Sequence, residues 1–143
     1  MATLAALDLR TRGILVDNLW TFGSPAVGNK AFAVAFVAAS AHQHVHPASW
    51  RIVNSGDIVP YAGSEDLFAH VPATVYYKDH SNYEVCDWSL EHPESRSCNI
   101  PRPLNPGLEI VKAAITTIGG GSIANHTNYF NLTTRIWPQD CVT

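Results

Sequence analysis

Asp57 and His126 are the residues of this sequence whose types and order suit catalysis. Asp57 stands in "NSGDIVP", directly after the apolar run "WRIV", and His126 lies far downstream in "IANHTNYF". Acid first and histidine later is the tail of a Ser, Asp, His chain order. In such a relay the imidazole Nε2 takes a proton from a serine. A buried carboxylate meanwhile holds Nδ1–H, fixes the tautomer and stabilises the imidazolium. Spacing alone is weak support, because an Asp after a strand is more often a turn former and a lone His more often structural.

The remaining chemistry-bearing residues read more plainly. Ser24 in "FGSPAV" lacks the glycine spacing of a nucleophile elbow and precedes a proline, so it is not read as a nucleophile. Ser55, two residues before Asp57, is read as a turn residue. His42, His44 and His46 alternate in "HQHVH", but no cysteine or carboxylate completes a metal set nearby. That segment reads as a helix end before Pro47, and no metal or organic cofactor is expected. His70 is read as packing support beneath the loop that carries Asp57.

The elements that must position the pair follow from patterning. "MATLAALDLR" is rich in strong helix formers yet opens without a capping residue, as though the chain began inside a helix. "ILVDNLWTFGSP" reads as a mostly apolar strand ended by Gly23 and Pro25, suited to a sheet covered on both faces. "GNKAFAVAFVAASAH" reads as a helix starting near Gly28 or Asn29, with Phe32 and Phe36 one turn apart. A strand around Trp50 to Val53 runs into a turn at Ser55-Gly56-Asp57, and "ATVYYKD" is a third strand. Trp20, Phe22, Phe32 and Phe36 are expected in the core. Past Tyr77 the chain turns polar, then proline-rich to Pro106. A short helix at "GLEIVKAAITTI" and a Gly119-Gly120-Gly121 hinge follow. Helices and strands in short alternation predict an α/β fold with a mainly parallel sheet, in one domain over residues 1–143.

Composition narrows the partners. Of 143 residues 46% are hydrophobic and 15% charged, which predicts a buried core rather than a disordered tail. With a formal net charge of −3 and nine scattered Lys and Arg, nucleic acid is not an expected partner. The longest apolar stretch, Ala31 to Ala41, is too short to cross a bilayer, so no transmembrane segment is expected. Cys86 and Cys98 flank "DWSLEHPESRS" as a local disulfide would, while Cys141 stands apart. Asn125 and Asn131 head glycosylation sequons. A glycan on Asn125 would block His126, so Asn131 is the candidate acceptor.

"LWTFGSPAVGNKAFA", "WRIVNSGDIVPYAG", "LFAHVPATVYY" and "SIANHTNYF" together resemble, in order and spacing, the second half of the class 3 (fungal-type) lipases, which include feruloyl esterases. The resemblance runs from Met1 to Cys141 and implies the C-terminal part of an α/β-hydrolase fold. Asp57 matches the family's catalytic acid and His126 its base. Thr74 and the Ala124-Asn125 pair depart from acidic residues frequent in relatives, which touches substrate-side details.

What the resemblance implies is carboxylic ester hydrolysis, of acylglycerols or other esters, by a secreted enzyme of lipid metabolism. The family's G-x-S-x-G elbow sits just before a helix like "MATLAALDLR", which places serine and oxyanion donors upstream of Met1. The missing N-terminal half is then the expected partner of an open sheet edge and of Cys141. The competing reading is a truncated product or pseudoenzyme half that acts by binding lipid or a partner chain.

Overall fold

Alanine and leucine dominate the first segment, and it forms helix α1 (Ala2–Thr11), whose N-cap Met1 makes no side-chain cap bond. The computed structural model describes residues 1–42, 49–62, 67–79, 81–86, 98, 125–130 and 132–133. After α1 come strand β1 (Leu19–Phe22), helix α2 (Lys30–His42) and strand β2 (Ser49–Asn54). A 3-10 turn (Val59–Tyr61) leads to β3 (Thr74–Tyr77) and β4 (Tyr83–Cys86). Strands β5 (Asn128–Tyr129) and β6 (Leu132–Thr133) pair as a small antiparallel ribbon. Asn29 is the residue that starts α2: its Oδ1 accepts the Phe32 N–H at 2.9 Å, satisfying a helix-end donor.

The main sheet has the order β1-β2-β3-β4, with β1, β2 and β3 parallel and β4 antiparallel. Its registers set Trp20 beside Trp50 and Phe22 beside Ile52 on one face, leaving Leu19 and Thr21 to the other. The Leu19 face meets the helices over Ala6, Ala33, Phe36, Ala69 and Val71. Arg10 crosses this packing from α1: Nη1 donates to Ser40 Oγ at 2.9 Å, and the guanidinium lies 4.8 Å from the Phe36 ring centroid. The opposite face carries Ile52, Val75 and Tyr129, flanked by Trp50 and Tyr77.

Here the structure corrects three sequence expectations. Phe36 is buried, but Trp20 and Phe22 are 54% and 48% exposed. β1 is an edge of the described sheet, and its outward side chains are met by little more than the Trp50 ring, stacked at 5.8 Å, and the Tyr129 and Phe130 rings. Apolar character therefore did not dictate burial. The strand is also shorter than the apolar run, because pairing with β2 begins only at Leu19 opposite Ser49. Strand β4 arises in the stretch read as merely polar, where Tyr83, Glu84, Val85 and Cys86 pair with β3.

Cys86 and Cys98 form the expected disulfide, with Cα atoms 5.1 Å apart, and cluster with Val53 and Tyr76 behind β2. Among the described residues no helix is long and apolar enough to cross a membrane. His44, His46, the 107–118 helix, the glycine hinge, Asn131 and Cys141 lie outside the described residues.

Candidate active site

Strand β2 ends at Asn54, and the chain turns at once: the Asp57 N–H returns to the Asn54 carbonyl at 3.1 Å. Gly56 sits in this turn at φ +77, a conformation that L side chains rarely adopt. The turn leaves Asp57 at the carboxyl end of a parallel strand, where α/β sheets place their functional groups. Its side chain is fully buried, so each oxygen needs a donor. Oδ1 accepts the Val59 N–H at 2.9 Å, which also launches the 3-10 turn. The His70 ring then donates from Nε2 to the Pro60 carbonyl at 2.9 Å, bracing that turn from below as read from the sequence.

Oδ2 faces the far end of the chain. His126, on a short helical turn over residues 125–127, brings Nδ1 to 3.1 Å from it. The Tyr129 hydroxyl donates to the same oxygen at 2.6 Å. Burial, and next the bond to Asp57, push the Tyr129 phenol well above its ordinary range, so it stays protonated and serves as a donor. The hydroxyl oxygen in turn accepts the Asn54 N–H at 3.2 Å, and Asn54 Nδ2 donates to the Asn128 carbonyl at 3.2 Å. The end of β2 thus holds the histidine segment at the backbone as well as through the acid.

Two glycines make this approach possible. A Cβ on Gly23, at φ +60, would lie 2.5 Å from Asp57 Oδ2 and 2.6 Å from His126 Nδ1, inside the acid–histidine contact itself. A Cβ on Gly56 would collide with Asn125 Nδ2. That nitrogen is the atom a glycan would occupy in the Asn125 sequon, and it packs on the Asp57 turn instead.

The structure therefore joins Asp57 and His126. Ser24 is elsewhere engaged, donating from Oγ to the Pro25 carbonyl at 3.1 Å. Sequence reasoning missed Tyr129, Gly23 and Asn54. "HTNYF" places Tyr129 three residues after His126, and "WTFGSP" places Gly23 at the end of a strand, but neither spacing announces a contact with Asp57.

Chemically, the buried carboxylate can fix one imidazole tautomer, with Nδ1 as donor, and can offset the charge of an imidazolium. The His126 side chain is 31% exposed, and among the described residues its Nε2 has no hydrogen-bond partner. With Nδ1 turned to Asp57, Nε2 is the ring nitrogen left to face a reacting group.

Residues 1–66 match the family described as "Lipase (class 3)", a span that includes Asp57 and stops short of His126. No curated protein matches the chain. Among solved structures the chain is similar to lipase II from Rhizopus niveus, with TM-score 0.64 and 25% identity over 92% of this chain and 43% of that one. It is also similar to the lipase from Rhizopus microsporus var. chinensis, with TM-score 0.63 and 24% identity over 92% of this chain and 39% of that one. The chain spans less than half the length of either lipase.

Proposed function

From a chain of the class 3 lipase type with an α/β-hydrolase fold, we propose that Asp57 and His126 are the acid and base of a serine ester hydrolase. The observation that carries this is the contact of His126 Nδ1 with the buried Asp57 Oδ2 at 3.1 Å, at the carboxyl end of β2. In the reaction His126 Nε2 takes the serine proton as the hydroxyl attacks the ester carbonyl, then returns it to the leaving alcohol. Asp57 does not take the proton. It balances the imidazolium while Val59 and Tyr129 hold its oxygens.

The nucleophile and the oxyanion donors are supplied by residues beyond this span, and the substrate class is a carboxylic ester such as an acylglycerol. In the same reading, the rest of the enzyme pairs with the outer edge of β1 and offers the partner of Cys141. The Cys86–Cys98 disulfide supports a secreted enzyme, because such bonds persist in oxidising compartments.

The test is p-nitrophenyl ester hydrolysis by the gene product as the source organism makes it. Asp57→Asn and His126→Ala are each expected to lower turnover by about 10⁴-fold. Activity retained within tenfold would overturn the assignment. The 143-residue chain on its own is expected to show no turnover beyond its Asp57→Asn variant, since its histidine has no activated serine to serve.

A further inference from the structure

Oxygen Oδ2 of Asp57 receives two donors, and both come from one short segment. His126 and Tyr129 are three residues apart, and both aim at the same atom, at 3.1 and 2.6 Å. Residues 125–130 are therefore registered on the acid at two points. The phenol is itself held, because its oxygen accepts the Asn54 N–H while its proton goes to Asp57. The ring packs with Ile52 and Val75 and meets the Phe22 ring edge-on at 5.7 Å.

We propose that Tyr129 is a positioning residue that makes Asp57 Oδ2 a shared acceptor and so limits how strongly that oxygen holds the His126 ring. The proposal rests on the acid–base reading above and names a further residue of that site. Its physical basis is competition. The positive end of the Tyr129 O–H dipole lies against the oxygen that must stabilise the imidazolium, and it weakens that oxygen as an acceptor for Nδ1–H. The carboxylate is shielded from bulk solvent, since its side chain is fully buried, and Oδ1 already accepts the Val59 N–H. The charged and titratable groups in play are Asp57 against His126, and Asp57 with Arg51 acting on Tyr129. Gly23, Gly56 and Asn125, which pack around the contact, carry no charge.

The experiment follows the imidazole titration of His126 by NMR in the gene product as the source organism makes it, in wild type, Tyr129→Phe and Asp57→Asn. Phenylalanine keeps the ring and removes the hydroxyl, leaving His126 as the donor to Oδ2. The His126 midpoint is expected to rise by at least about half a pH unit. A merely structural role would loosen residues 125–130 and lower the midpoint; that result, or no change, overturns the proposal. Asp57→Asn gives a second readout that does not depend on the phenylalanine variant folding. Tyr129 then loses the charge of Asp57, one of the causes that raise its pKa, so its phenol is expected to titrate at lower pH than in wild type. An unmoved phenol overturns the shared contact. The two levels separate cleanly. If Asp57→Asn leaves the His126 midpoint in place, the acid–base reading fails; if it shifts the midpoint and Tyr129→Phe does not, only the role of Tyr129 fails.

Discussion

The acid and the histidine are held in different ways. Asp57 is fixed by its own neighbourhood: strand β2 ends three residues earlier, the chain turns on Gly56, and the carboxylate caps the Val59 N–H two residues later. His126 stands on a short turn followed by a two-residue strand and reaches its place through contacts with Asp57, Asn54 and Gly23, all distant in sequence. A local anchor survives much that a long-range anchor does not. Loop-closure entropy must be offset before the histidine segment docks, and a few side-chain bonds at the end of β2 are what offset it. Perturbing the docking surface should therefore cost the histidine position first and the acid position last.

Gly23→Val should have the largest effect. It places a branched side chain at φ +60 inside the Asp57–His126 contact. Backbone strain and overpacking together should cost about 3 kcal/mol or more. Denaturant unfolding would measure the loss, and NMR should show residues 125–130 displaced while the Asp57–Val59 turn persists. If both regions move together, the contrast between them is wrong.

Breaking the Cys86–Cys98 bond by replacing both residues with serine comes next. The loop it closes spans 12 residues, for which about 2–3 kcal/mol is expected. This bond supports Val53 and Tyr76 on the side of β2 away from His126. The loss should appear in thermal melting while the Asp57–His126 contact persists; a displaced histidine would show that the acid side also depends on distant support.

Tyr129→Phe should cost about 1.5–3 kcal/mol, the range for a hydrogen bond to a charged group. Because the folded phenol titrates above its unfolded value, the stability of this bond is fully present below about pH 10 and is lost as pH rises further. Wild type and variant should therefore converge in stability above pH 10 and differ at pH 7. A gap independent of pH would remove the hydroxyl from the account.

Asn29→Ala is the smallest and the most local. Removing the cap of α2 should cost about 1 kcal/mol by thermal melting and leave both halves of the site unmoved. A shift of the His126 titration in this variant would mean that the helix-covered face communicates with the site face.

What the sequence determined was whatever depends on neighbours in the chain. Helices α1 and α2, the start of α2 near Gly28 or Asn29, strands β2 and β3 and the turn before Asp57 all follow from patterns a few residues long. The nearby Cys86–Cys98 bond was legible for the same reason. The order of Asp57 and His126, with the family resemblance around them, named the two site residues but could not show that they touch. Burial of Trp20 and Phe22 was misjudged because apolar character says that a side chain favours cover, and only the sheet's edge decides whether cover is there. For Tyr129 and Gly23 no sequence signal pointed to a contact with Asp57. A hydroxyl donor and a missing Cβ acquire meaning only once folding brings Gly23, Asp57, His126 and Tyr129 to one oxygen atom. Position in space, which the chain reaches through many weak long-range contacts, decided that part of the molecule.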